Sequence, residues 1–380
     1  MTNIIDRRVL MRALIVLVVA AAASIAFGAW GSPAVASTVD TAVAHASAVS
    51  SETVATAPQV DTITQTAVEP DEEIGTNRYV QQFINGIVFG LLLALASVGL
   101  SLIYGTTGLS NFAHGEQVSL GAMLTFFFAT QQPVSLPFVP VEFTIGWPLI
   151  PSALAAIALA AGTGWLQDKF LWSPLRRRKV SIVQQMIVSI GLSLAMLNFI
   201  QWWFGAERRR ISTSIDTRID MGVFTIGQTT LWSVAIAIIC LAAVAYFLLR
   251  TRTGRATRAV SDNPALASAS GIRVEKVVRL VWIMATGLAA VGGILLALYD
   301  NAAAFDVGAR LLLLMFAAVT LGGLGQAFGA LVGSLVIGVA VEMSTLWLGT
   351  DLKYAVALGI LILVLLVRPQ GILGRAERVG

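Results

Sequence analysis

The run Tyr104-Gly-Thr-Thr-Gly-Leu-Ser-Asn-Phe-Ala-His-Gly-Glu116 stands between two apolar stretches, Phe83–Ile103 and Val118–Thr130. It packs three glycines, an asparagine, a histidine and a glutamate into thirteen residues, a composition no lipid-facing helix would choose. Hydrocarbon supplies no water to satisfy exposed backbone, so irregular polar chain at membrane depth persists only inside protein or along a cavity. Two readings follow. In one, the run is a broken-helix element lining a path, with Asn111, His114 and Glu116 supplying polar groups. In the other, it is a tight loop whose polar residues cap helix ends, with Ser110 or Asn111 as N-cap.

The surrounding chain supplies the membrane setting. Of its 380 residues, 57% are hydrophobic and 12% charged, and its mean hydropathy is +0.81; soluble domains carry roughly 25% charged residues. The expected fold is therefore all-α, a polytopic helical membrane protein. Nine membrane-length or near-length segments centre near residues 92, 123, 157, 192, 240, 288, 317, 336 and 360. The stretch from 80 to 130 leaves room for a re-entrant or broken helix. The formal charge of +4 and pI near 9.5 come from short loops, so they report orientation rather than nucleic-acid binding. Asp168–Ser181 holds Lys169, Arg176, Arg177, Arg178 and Lys179 against Asp168, and Arg250–Arg279 holds seven basic residues against Asp262 and Glu275. Both are expected on the cytoplasmic side of a plasma (inner) membrane, as is the C-terminus with Arg368, Arg375 and Arg378. Alternation then puts Gly205–Thr230 outside.

The chain divides into three. Residues 1–36 read as a signal peptide or N-terminal anchor helix: Arg7, Arg8 and Arg12, then uncharged Ala13–Trp30, then Ala34-Val35-Ala36. Residues 37–78 read as a disordered acidic extracytoplasmic linker, because a stretch without aromatic residues and rich in Ala, Thr, Val and Ser cannot build a core. Residues 79–380 form a transmembrane domain of about 8–9 helices by the length a bilayer requires.

Three further features carry mechanism. Asp262-Asn263-Pro264 through Gly271 spells a short helix: Asn263 can cap, Pro264 suits the first position, and Gly271 suits the left-handed exit. Flanked by Arg250, Arg252, Arg255, Arg258, Arg273, Lys276 and Arg279, it suits either insertion into a groove on a soluble partner or a place on the membrane surface. Gly325, Gly329 and Gly333 recur every four residues and read as a helix-packing ridge, echoed by Gly86 and Gly90 beside Asn85. Glu342 lies within an apolar stretch, where a charge is either a functional group or paired near the surface; Asp300 and Asp306 read as solvated loop residues. None of the lysines Lys169, Lys179, Lys276 and Lys353 lies in a phosphate-binding loop. Two histidines, His45 and His114, and the lone Cys240 offer no metal cluster, disulfide or nucleophile–base pair. The expectation is no catalytic residues, no metal and no cofactor.

Gln81-Gln82-Phe83-Ile84-Asn85-Gly86, Ser101–Gly105, Gly108–Glu116, Trp172–Arg176, Gly254–Ala259 with Gly271-Ile272, Leu321–Gly325 and Leu361–Gly374 together resemble the LivH-type permeases of branched-chain amino-acid ABC importers. The resemblance runs from Tyr79 to the end. It implies a permease without ATPase activity of its own, paired with a second related permease subunit, two cytoplasmic ATPase subunits and an extracytoplasmic solute-binding protein. It further implies that Gly254, Arg255, Arg258, Asp262, Pro264, Ala267 and Gly271 belong to an ATPase-coupling element. Asn111, His114, Glu116 and Glu342 are the candidates for the substrate path. Branched-chain amino acids are the expected substrate, with urea or a short amide as the alternative and a gradient-coupled carrier as a different class. Membrane lipid is an expected partner and nucleic acid is not.

Overall fold

Apolar chain in hydrocarbon must satisfy its own backbone, and the helix does so within a single segment. The computed structural model describes residues 78–130, 134–136, 139–143, 145–211, 217–349, 352–367 and 371–372. The expectations for residues 1–36 and 37–77 and for the C-terminal arginines lie outside the described residues. The helices are α1 (Arg78–Thr107), α2 (His114–Ala129), α3 (Leu149–Gln167), α4 (Ser173–Arg177), α5 (Ile182–Phe204) and α6 (Gln228–Arg250). They continue as α7 (Arg252–Asp262), α8 (Pro264–Ala269), α9 (Val274–Tyr299), α10 (Val307–Gly322), α11 (Ala327–Ser344) and α12 (Lys353–Val367). A π-helical turn, Asp168–Trp172, joins α3 to α4. Two antiparallel hairpins interrupt the helical pattern, β1 (Val134–Leu136) with β2 (Val139–Phe143) and β3 (Arg218–Asp220) with β4 (Thr225–Gly227).

Among the described residues six helical segments are long and apolar enough to cross a bilayer: α1, α3 continued to Arg177, α5, α6, α9 and α11. α10 and α12 are shorter apolar helices. Each of the nine apolar centres falls inside a helix. Burial separates a core from a periphery. The apolar window of α1 is 89% buried and that of α9 72%, whereas that of α5 is only 11% buried and turns its apolar side chains outward.

Glycine makes the central packing close. A Cβ on Gly338 of α11 would meet the Cα of Gly90 at 2.5 Å, and one on Gly86 of α1 would meet the Cα of Val339 at 2.7 Å. Backbones therefore touch directly, as small residues permit. Gly329 and Gly333 face α10 instead, against Gly322 and Ala318. Gly325 does not belong to that ridge. It precedes α11 in a turn with φ +78° and lies against Gly105.

These contacts fix the sense of each helix. The start of α1 lies at the hairpin end, where Gln81 exchanges hydrogen bonds with Thr225 of β4 (3.1 and 2.9 Å). Its finish lies at the α7–α8 end, where Gly105 abuts Ser261 and Gly325.

Candidate functional site

After α1 the chain turns back. Gly108 takes φ +68°, and Gly108–Ala113 runs without helix to His114. The His114 Nε2–H donates to the carbonyl of Ala96 (2.9 Å), and Ala96 stands about 16 Å back along α1 from Thr107 at 1.5 Å per residue. Six irregular residues thus climb to mid-bundle, where α2 begins. Every residue from His114 to Phe127 is buried. The N-cap, Ala113, has no side-chain cap, so neither Ser110 nor Asn111 caps this helix as the loop reading expects. Asn111 Oδ1 instead accepts from the Ala113 N–H (3.2 Å).

A second helix begins at the same depth. Ala303 exchanges backbone hydrogen bonds with Arg209 (2.8 and 2.7 Å) and packs with Phe127 and Phe204 near the far end of α2. From there five residues reach Gly308, whose backbone lies so close to that of Gly115 that a Cβ on either would strike the other's carbonyl. The Gly308 N–H donates to Ser119 Oγ (2.8 Å). α10 then continues toward the α8 end, with Phe316 tilted against Phe112 (ring centroids 5.2 Å). The N-termini of α2 and α10 therefore meet at mid-depth and the helices leave in opposite directions.

Polar groups gather at this junction. Ser189 and Ser193, one turn apart on α5, bind the Phe112 N–H (3.1 Å) and Glu116 Oε1 (3.2 Å). Gln117 Nε2 donates to Gln167 Oε1 of α3 (2.8 Å). Asn111 is fully buried and Glu116 1% exposed. Even so, Asn111 Nδ2 and Glu116 Oε2 have no hydrogen-bond partner among the described residues. Buried polar atoms are ordinarily hydrogen-bonded, so both keep the capacity to bind a further polar group. Among the described residues no group of three or more His, Cys, Asp or Glu is placed to hold a metal ion.

Not every candidate joins this site. Glu342 is half-buried one turn past Gly338, at the hairpin end, with Lys353 and Asp300 as its electrostatic neighbours. Gly338 packs beside Gly86, about 15 Å along α1 from Ala96. Asp306, read from sequence as a solvated loop residue, is instead ion-paired with Arg310 in the first turn of α10.

Two features escaped the sequence reading. Asp168, counted there only as a loop charge, is 0% exposed and clamped between Arg176 (2.6 Å) and Arg279 (3.0 Å). Glu275 extends the cluster to Arg176 (3.1 Å) and Ser173 (3.1 Å). Trp172 and Trp282 stack beside it, both fully buried, with centroids 5.3 Å apart. The other feature is Leu266. In α8 the Asn263 Oδ1 accepts from the Leu266 N–H (2.9 Å), Pro264 opens the helix, and Gly271 turns at φ +83°. Ala267 faces inward and is 3% exposed, while Leu266 is 65% exposed. Gly254 is also inward, tight against the Phe247 carbonyl. Arg255, Arg258, Asp262 and Pro264 stay on the outer surface.

A multi-pass helical membrane protein with two broken segments meeting at mid-depth belongs to the class of membrane transport proteins by architecture. Comparison with known proteins gives the family. Residues 82–365 match the family model described as branched-chain amino acid transport system / permease component, and the chain belongs to that family. It is 31% identical over 305 residues to the high-affinity branched-chain amino acid transport system permease protein LivH of Escherichia coli strain K12, covering 79% of this chain and 96% of that protein. It is 30% identical over 310 residues to BraD of Pseudomonas aeruginosa (79% and 97% covered). A probable LivH of Methanocaldococcus jannaschii is 30% identical over 307 residues (76% and 90%). No solved structure matches.

Proposed function

We propose that this chain is the permease subunit of an ATP-driven importer for branched-chain amino acids. The relatives named above are permeases of branched-chain amino acid transport, which favours this reading over urea or a gradient-coupled carrier. ATP hydrolysis comes from two separate cytoplasmic subunits, a second related permease completes the path, and an extracytoplasmic protein delivers the substrate. The basic α7–α8 end and the C-terminus face the cytoplasm, in keeping with the loop charges.

One observation carries the mechanism: two helix N-termini, whose N-cap residues Ala113 and Asp306 make no side-chain cap, converge at mid-depth beside the buried polar groups of Asn111 and Glu116. The partial positive charge of those ends draws a carboxylate, and carboxylate or amide oxygens nearby suit an ammonium. Asn111, His114 and Glu116 therefore belong to the path, His114 by fixing the start of α2 to α1. Glu342 stands apart, at the entrance side. The coupling element docks on the ATPase through Leu266, Arg255, Arg258, Asp262 and Pro264, with Gly254, Ala267 and Gly271 holding its shape. Motion of α8 reaches the junction through α9: Glu275 and Arg279 grip Asp168 and Arg176, and Gln167, next to Asp168, binds Gln117. A π-turn at that point is a site where a helix yields locally.

The test is reconstitution with the partner permease, ATPases and cognate binding protein in proteoliposomes. Labelled leucine, isoleucine or valine should enter with ATP, and Asn111→Ala should cut uptake at least fivefold. Urea uptake without amino-acid uptake, or an Asn111→Ala variant equal to wild type, refutes the respective assignment.

A further inference from the structure

Arg310 poses a question of environment. It stands two residues beyond Gly308, the mid-depth contact with α2, yet its side chain is 45% exposed. A guanidinium at that depth is too costly against lipid tails and must face water or protein. Its partner is Asp306, one turn earlier and 25% exposed; Arg310 donates to Asp306 Oδ2 through Nε (2.9 Å) and through Nη2. Leu313, 45% exposed, continues the same helix face at the next turn. Behind Asp306 lies Glu116, its electrostatic neighbour, with one carboxylate oxygen held by Ser193 and the other without a partner among the described residues. The first two turns of α10, with the N-cap before them, thus carry a cation, an anion and an apolar side chain on one exposed face near mid-depth.

Taking the chain as the amino-acid permease argued above, we propose that Asp306 and Arg310 are its zwitterion-recognising pair. Arg310, backed by the N-terminus of α10, takes the substrate carboxylate, and Asp306 takes the ammonium, while Leu313 receives the branched side chain. The exchange leaves no charge unmatched. At rest the two groups neutralise each other, and an entering α-amino acid replaces each partner with one of like sign. A simple amine or a simple carboxylic acid would satisfy one group and strand the other, a penalty that discriminates against both.

The experiment compares wild type, Arg310→Lys and the double variant Asp306→Asn/Arg310→Gln in the complete reconstituted importer. Readouts are subunit assembly, ATP hydrolysis stimulated by loaded binding protein, and leucine moved per ATP hydrolysed. The double variant retains polar contact within the pair but no charge. It should assemble and hydrolyse ATP within twofold of wild type, while leucine moved per ATP falls at least tenfold. Arg310→Lys should recover part of that loss. A double variant that transports within twofold of wild type overturns the proposal. So does one that dissociates from the partner permease, since the pair would then be an interface staple. A wild-type complex that hydrolyses ATP but moves no leucine refutes the functional reading itself, whatever the variants do.

Discussion

Replacing Asp168 by alanine tests whether the ionic cluster beneath the π-turn holds the inner ends of α3 and α9 together. Its carboxylate is fully buried and makes two charge-assisted contacts, 2.6 Å to Arg176 and 3.0 Å to Arg279. Removing one member of a buried ion pair typically costs about 3–5 kcal/mol, because the remaining charge is left uncompensated. Here Arg176 keeps Glu275, and Arg279 is 33% exposed and reaches some water. The lower end, about 3 kcal/mol, is therefore expected. At about 2.1 cal/mol/K of unfolding entropy per residue, a domain of about 300 residues loses roughly 1.5 °C per kcal/mol, which gives a fall of about 5 °C. The assay is thermal unfolding of the full-length chain in detergent, followed by intrinsic tryptophan fluorescence. Trp172 and Trp282 stack beside the cluster and report on it directly. Glu207→Ala is the control: it also removes an ion pair with arginine, but Glu207 is 77% exposed. Exposed pairs contribute about 0–1 kcal/mol, so its midpoint should move by no more than about 2 °C. Equal midpoints for the two variants would refute the claim that burial makes the Asp168 cluster structural.

Leu266→Arg should abolish co-purification of the ATPase subunits while leaving the thermal midpoint unchanged, whereas Ala267→Arg should lower the midpoint because that side chain points into the core; normal ATPase association in Leu266→Arg rejects the docking face. Gly338→Ala forces α11 off α1 and should cost about 1–3 kcal/mol by overpacking. Gly191→Ala on α5 meets nothing within 4 Å and should stabilise by up to about 1 kcal/mol through helix propensity; thermal midpoints that fail to separate these two variants would contradict the packing account.

Hydropathy made the helices legible, because hydrocarbon compatibility is a property of each stretch alone. Depth is a different matter. α2 and α10 are apolar like their neighbours, and nothing local says that each begins halfway through the bundle. That fact rests on contacts such as His114 with Ala96 and Gly308 with Gly115. Asp168 was missed for a related reason. Its partner Arg279 lies in another segment, and charge counting treats a carboxylate amid arginines as a solvated minority. The Asp306–Arg310 pair did carry a readable signal, since opposite charges at i and i+4 mark a helix turn; the loop reading of Asp306 placed it just before α10 but left out its partner Arg310. In α8 the small side chains gave a correct cap and no indication of which face turns inward.

What the sequence did hold, in two places, is the symmetry of the junction. Phe112-Ala-His-Gly115 and Phe305-Asp-Val-Gly308 enter α2 and α10 with the same spacing of phenylalanine and glycine. The separation between Gly115 and Gly308 also relates Gly99 to Gly292, and Gly108 (φ +68°) to Asn301 (φ +48°), so both re-entrant segments open on a left-handed residue. The contacts repeat as well. Gly99 of α1 lies on Ala285 of α9, and Gly292 of α9 lies on Leu92 of α1, which is the same pair under that shift. Since α1 and α9 run in opposite senses, the two segments are inverted copies, and Gly115 and Gly308 touch where the relating axis passes. Glycine is demanded twice there by one cause: each backbone occupies the space a Cβ of the other would need. A phenylalanine and a glycine three apart are too common to announce a repeat from sequence. Only the meeting of the two glycines gives the echo its meaning, because it sets the second re-entrant segment against the first.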